Sequence, residues 1–527
     1  MTEYLVDVPN IANLVTVVLQ MENLQYLDIS IVNEKLDVLK IDAGKCQVTE
    51  LLKHPEALSN LTSLEISGWK DYIPRVTLYN FLMAHPKLEY LGIVLSDLMF
   101  EPTFSDLNYS EYPSHLVIGG LGNREQIKVT LQKYRDRSNY VQKALYHLFQ
   151  LTNGYPETCP KIFDLILPVM AAHSSKFGVQ MAATACLYNL TKGDLSKHIH
   201  PNLLSKGINL TLDAMAHFPK EYQLQKNSLL TLCNDRILQE VNFDRFRCAW
   251  LVLDALCAFC DNNISRMAVA ICSILAAKIS TAETSKLGAR PTYMRKLLDM
   301  VENRVENIIS DITLKFTLSA LWNLTDESPA TCTVFLEQQG AHLFLNVLQT
   351  FRDDSTIETK VLGLLNNIAE VAKLRRSLML DALINELHSL LKSENIDVSY
   401  FAAGIVAHLA SDGDDEWTAI SHTRDEMLTE LKEAIMQWQV PQSEMVAYRS
   451  FKPFFPLLDA TMDYRVQLWA LWAIHHVCTK NPKRYCTMLR EENGDDLLNK
   501  LIEFADSHSE IRKISSQIMD TLKYNTF

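Results

Sequence analysis

KFTLSALWNLTDESP (residues 315–329) and VLGLLNNIAEV (residues 361–371) are the two stretches on which the reading of this chain turns. Both have the apolar spacing of a helix, and both set polar groups into otherwise apolar surroundings. Trp322 and Asp326 are four residues apart, so on a helix they stand one above the other on one face. Asn367 and Glu370, three apart, do the same one repeat later. Two such helices, stacked, aim an indole, an amide and two carboxylates into one space. Helices of this kind at intervals of about forty residues indicate an α-solenoid, whose adjacent repeats line a concave groove. A groove with two acids is a cation site, and an aromatic wall beside them limits what the cation can carry.

Aligning the last helix of each repeat extends the pattern into a ladder: His147, Asn189, Asn234, Asn323, Asn367 and His408, with Ser273 near the middle of the one double-length step. Buried amides persist where they are paired, so most rungs are expected to bond the backbone of the neighbouring repeat. After His408 the register breaks, and the next matching helix, LWALWAIHHVC, places His476 68 residues on. The interval is expected to hold an extended loop or an additional helix. NPKRYCTMLREENGDDLLNKLIEF (residues 481–504) reads as a final capping repeat, after which periodicity is expected to fade.

Near the start, three segments share the form L-x-x-L-x-I: Leu24, Leu27, Ile29; Leu61, Leu64, Ile66; and Leu88, Leu91, Ile93. In a leucine-rich repeat these positions form the buried side of a short strand. Three units are the minimum for a stable stack, and the chain begins almost on the first, so preceding repeats are expected in a full-length protein. Residues 101–125 are rich in turn formers and read as a junction. Gly119, Gly120 and Gly122 fail as a phosphate loop, lacking the third-position glycine, the Lys-Ser/Thr and an evident strand-glycine-helix unit. The expected organisation is therefore a leucine-rich-repeat segment over 1–100, a junction over 101–125 and a helical-repeat domain over 126–527.

With 527 residues and 48% hydrophobic content the chain can bury a sizeable core, and 16 Gly and 17 Pro suit a mostly helical protein. The net charge of −13 argues against nonspecific nucleic-acid binding, which needs clustered Lys and Arg, and favours a basic or ammonium-bearing partner. Eleven scattered cysteines with no secretory leader indicate a reducing, intracellular compartment, cytoplasmic or nuclear. Apolar runs such as FDLILPVMAA fall far short of the ~20 residues that span a bilayer, so no membrane anchor is expected.

Rival chemistries have weaker support. Cys257 and Cys260 form C-x-x-C, but without a second pair, inside the apolar LVLDALCAFC, where core thiols are the better reading. Leu229-x-x-x-Cys233 lies in a repeat helix and also reads as core. His475 and His476 are adjacent and diverge on a helix. No nucleophilic triad, metal site or cofactor motif stands out, so no enzyme activity and no cofactor are expected. Tyr400, His408, Trp469, Trp472, His475 and His476 either extend the groove or pack between helices.

ALWNLTDESP and LLNNIAEV resemble the armadillo-like domain of the ZYG11/ZER1 family, substrate receptors of cullin-2 ubiquitin ligases that recognise N-terminal glycine. The resemblance runs on through QLQKNSLLTLCNDRIL (223–238), MAVAICSILAAK (267–278), VSYFAAGIVAHL (398–409), MVAYRSFKPFFPLL (445–458) and VQLWALWAIHHVC (466–478). The Asn-Asn pair and the Phe-Phe-Pro run favour the ZYG11 branch. The resemblance implies an armadillo-like superhelical solenoid in which Asp326, Asn367 and Glu370 hold the glycine α-ammonium, while Trp322 and Asn323 shape the pocket. It also implies elongin B/C and cullin-2 as partners, although the residues before the first repeat contain no L-x-x-x-C box. The rival is an armadillo adaptor for an internal basic peptide, which would use recurring Trp-x-x-x-Asn. Here the residue four after Trp322 is Asp326, and most repeats lack the Trp.

Overall fold

The computed structural model describes residues 12–30, 47–69, 73–106, 115–154, 156–418 and 420–525. They form two compact units, Met1–Asp244 and Arg245–Phe527. In the first, strands β1 (Tyr26–Asp28), β2 (Ser63–Glu65), β3 (Tyr90–Gly92) and β4 (Val117–Gly119) make a parallel sheet in chain order. Leu27, Leu64, Leu91 and Ile118 stand in register across it. The three L-x-x-L-x-I segments thus supply three strands, with Leu61, Leu64, Ile66, Leu88, Leu91 and Ile93 buried against Leu78, Phe81 and Leu82 of the helix Arg75–Ala84. Burial of each such side chain stabilises by about 1.5–3 kcal/mol.

β4 lies within the stretch read as a junction, of which residues 107–114 fall outside the described residues. A strand-glycine-helix unit therefore exists here, because Arg124–Lys133 follows directly. It is still no phosphate cradle: the Gly122 N–H is taken by Gln126 Oε1 at 3.0 Å, and the Asn123 side chain caps the helix. The chain before residue 12, where a recruiting box was sought, also lies outside the described residues.

The expected boundary near 125/126 runs through the interior of the first unit, and polar contacts explain why. Tyr134 bonds Glu65 on β2 and the Tyr90 hydroxyl on β3, the latter at 2.6 Å. Arg137 reaches Asp28 at 3.3 Å and Ser30 at 2.8 Å, and Lys133 sits over the Tyr90 ring. The helices α1 (Ser138–Thr152), α2 (Phe177–Thr191) and α3 (Tyr222–Leu232) then stack in sequence. Gln180 and Gln225 play equivalent parts, each donating to a carbonyl ten residues back, Met170 and Met215, at 2.8 and 2.9 Å.

In the second unit the ladder helices are α4 (Asn262–Ala276), α5 (Ile312–Thr325), α6 (Ser355–Ala369), α7 (Ile396–Ala410), α8 (Tyr464–Lys480) and α9 (Ser509–Tyr524), each packed on the next. Between them come pairs of helices, such as Pro329–Glu337 with Gly340–Thr350 before α6, the three-helix rhythm of an armadillo-like solenoid. Local sequence sets each start: Asp261, Asp311, Asp354 and Asn395 accept backbone N–H groups as N-caps. Buried Val361, Leu362, Leu364, Leu365 and Ile368 surround α6, as befits a helix covered on several sides. The broken register after His408 contains the helix Arg424–Gln437, an extended run over 438–451 and the 3-10 helix Lys452–Leu458. Residues 509–524 remain helical where periodicity was expected to fade, held by buried Ile511, Ser515, Ile518 and Leu522. No helix among the described residues is long and apolar enough to cross a membrane.

Two cysteine expectations are corrected. Cys257 and Cys260 are exposed, one in the last turn of Arg245–Ala258 and one beyond it, rather than core thiols. Cys233, also exposed, is the C-terminal cap of α3, because the helix ends before the Asn-Asp pair that starts the next.

Candidate cation-binding site

The C-terminal ends of α5 and α6 open onto a cavity of about 310 Å³ lined by Trp322, Asn323, Asp326, Asn367 and Glu370. All five sequence-derived residues are thereby brought together. Asp326 is the residue on which α5 ends, and Glu327 follows at φ +49°, a left-handed conformation uncommon outside glycine, so the chain turns sharply at the acid. Glu370 holds the same place after α6. The carbonyl ends of two helices carry partial negative charge and add to the two acids in favouring a cation.

The amides serve both architecture and cavity. Asn323 Nδ2 donates to the Ser273 carbonyl at 2.9 Å, and Asn367 Nδ2 donates to the Trp322 carbonyl and Thr325 Oγ1, both at 3.1 Å. The donors tie repeat to repeat, and both residues also line the cavity. Asn189 does likewise in the first unit, bonding Phe149 O at 3.1 Å. Asn234 does both: its Nδ2 donates to the Thr191 carbonyl of the preceding repeat at 3.2 Å, and its Oδ1 caps the helix Asp235–Glu240. Trp322 stands edge-on to Phe401, ring centroids 5.2 Å apart, and lies against Gly363 so closely that a Cβ there would strike the indole.

A model of the family described as "Protein zer-1 homolog-like, C-terminal domain" matches residues 168–524. The chain belongs to the zer-1 homolog-like family. Zyg eleven-related protein 1 of Caenorhabditis elegans is 28% identical over 98% of this chain and 58% of its own length. Protein zer-1 homolog of Homo sapiens is 28% identical over 96% of this chain and 67% of its own. This zer-1-like chain thus spans roughly three-fifths to two-thirds of those relatives. Among solved structures, an engineered protein is 17% identical over 75% of this chain and 98% of its own, with a TM-score of 0.39. A designed armadillo repeat protein is 16% identical over 51% of this chain and 98% of its own, with a TM-score of 0.29.

Further residues of this zer-1-like site lay outside the sequence expectation. Asn366 donates from Nδ2 to Glu370 Oε1 at 2.9 Å, while its buried Oδ1 finds no partner among the described residues. Residues 445–450 supply the opposite wall, and from them Arg449 Nε reaches Asp326 Oδ2 at 2.8 Å. Burial raises the Asp326 carboxyl, and Arg449 opposes that rise. Glu370 is pushed up to about 8, first by burial and then by the charges of Asp326 and Glu327. The Glu370 carboxyl is therefore held mostly protonated at neutral pH.

The aromatic candidates beyond the pocket belong to packing. Trp469, Tyr400, His408 and His476 are buried, His408 lies 5.5 Å from Trp469, and Trp472 stacks on His476 at 5.2 Å. The Tyr400 hydroxyl bonds that of Tyr448.

Proposed function

We propose that the cavity receives the free amino terminus of a glycine-initiated polypeptide, and that the chain is the noncatalytic substrate-recognition part of a cullin-2 type ubiquitin ligase. One observation carries the reading: two carboxylates and the Asn367 amide converge on one cavity, at two helix C-termini, beside an indole. An ammonium has three donors, and Asp326, Glu370 and Asn367 Oδ1 offer three acceptors. Burying that charge unpaired would be costly, so the acids are matched to it. Selectivity for glycine on this reading comes from the Trp322 and Phe401 rings, which line the cavity and would clash with a side chain on the first residue. N-acetylation removes the charge and adds bulk, and is expected to abolish binding.

Elongin B/C and cullin-2 are the partners the family resemblance implies for full-length family members. The test is a cellular reporter that begins with free glycine. Its turnover should rise with the receptor, fall with Asp326→Ala or Glu370→Ala, and leave an alanine-initiated twin unaffected. Loss of both reporters alike would reject the reading. A second reading, an adaptor for an internal basic segment, draws on Arg449, since a guanidinium already pairs with Asp326. It predicts binding that survives N-acetylation.

A further inference from the structure

Arg449 reaches the site from a segment with no regular structure of its own. The run 438–451 is fixed at many points: Trp438 Nε1 donates to Ser399 Oγ at 2.9 Å, Glu444 pairs with Asn481 and Tyr485, and Arg484 donates to the Tyr448 carbonyl at 2.7 Å. The Phe451 N–H is held by Glu492 at 2.7 Å. At its centre the Arg449 guanidinium donates to the carbonyls of Ala276 and Ile279 at 2.7 and 2.9 Å, and to Asp326 Oδ2 at 2.8 Å. Ala276 is the last residue of α4, where carbonyls lack helical partners and a cation is favoured. A planar fork with five donors in fixed directions spans these three separated acceptors from one side chain, a geometry that a compact ammonium does not reproduce.

We propose that Arg449 is a positioning residue of the amine site: anchored to the carbonyl end of α4, it holds Asp326 by Oδ2 and turns Oδ1 toward the bound ammonium. This rests on the glycine-terminus reading. Two carbonyl bonds keep the guanidinium in place, so the ligand shares Asp326 with it instead of displacing it. The arrangement also sets the charge. Asp326, Glu327 and Glu370 face the cavity with Arg449 opposite, Arg375 acts on Glu370 from beyond α6, and Lys452 and Glu492 act on Glu327. One of the three acids is thereby matched inside the protein.

The test is a double-mutant cycle in the full chain with Arg449→Gln and Asp326→Asn, read by affinity for a free-glycine peptide. Arg449→Gln alone should weaken binding at least tenfold at pH 7 and cost much less in the Asp326→Asn background. Arg449→Lys should recover part of the loss by restoring charge, and it serves in the same cycle if the Gln variant fails to fold. A ligand-free readout accompanies it: the pH dependence of Trp322 fluorescence, taken as the difference from Trp322→Phe. With Arg449→Gln its carboxylate midpoint should move upward, because Asp326 loses the charge that opposes its burial. Tighter binding by Arg449→Gln would mean the arginine competes with the ligand, and equal losses in both backgrounds would mean it acts only on folding. Either overturns the proposal, as does an unmoved midpoint. If the unaltered chain binds no glycine peptide, the functional reading fails, and the midpoint alone then decides whether Arg449 tunes Asp326.

Discussion

Asn367 Nδ2 donates to the carbonyl of Trp322 at 3.1 Å, so the residue that joins α6 to α5 is also one that lines the acidic cavity. Stability and recognition are therefore coupled at Asn367. Asn367→Ala removes both bonds that tie α6 to the end of α5, leaving the Trp322 carbonyl with only the Thr325 hydroxyl, and should cost about 0.5–1.5 kcal/mol of stability per bond. It should lose peptide binding as well. Thermal melts beside binding curves check this, and an unchanged Tm would contradict it.

Asp326→Asn removes a charge and keeps the shape. A hydrogen bond to a charged group contributes about 1.5–3 kcal/mol, so affinity should fall roughly 10- to 150-fold. Far-UV circular dichroism should be unaltered. Retained affinity in the folded variant would sink the assignment.

Glu370 gives binding a pH signature. With its carboxyl pushed up to about 8, Glu370 holds a proton at neutral pH that a binding ammonium would expel. Affinity should thus rise as pH climbs from 6 toward 8, then fall as the peptide amine, with a pKa of about 7.7–8.0, loses its own charge. Calorimetry in buffers of different ionisation enthalpy should register proton release at pH 7, whereas proton uptake would reverse the sign.

The same group acts on stability. Its folded pKa lies above its ordinary 4.5, so between the two values the folded chain binds more protons than the unfolded one and loses stability as pH rises through 8. Glu370→Gln should raise the Tm of the empty protein at pH 8.5 while abolishing binding. A lowered Tm there would show that the charge is well paired.

Gly363 is needed for space. A Cβ would press into Trp322, so Gly363→Ala should cost about 1–3 kcal/mol and shift the indole into the cavity. Trp322 fluorescence and peptide affinity should change together.

The helices, their polar rungs and three of the four strands were legible because each is written in local periodicity: Leu64 and Leu91 in strands, Asn323 and Asn367 on successive helices. Four residues of the constellation were legible for the same reason, since Trp322 and Asp326, like Asn367 and Glu370, are one helical turn apart, whereas Asn323 was placed at the pocket by the family resemblance. Arg449 was not, because its place depends on carbonyls 173 and 170 residues earlier and its own segment has no period. β4 was hidden by its brevity, three residues among turn formers. Cys233 and Cys257 misled because they sit where apolar helices end, and the apolar pattern does not mark the last turn.

The most direct measurement is fluorescence polarisation of the 527-residue chain against a glycine-initiated peptide, its N-acetylated twin and versions initiated by alanine or methionine. The acid cavity requires that only the free-glycine peptide bind tightly, with affinity highest near pH 8. Equal binding of all four, or of none, would contradict it and strip Trp322, Asn323, Asp326, Asn367 and Glu370 of their role.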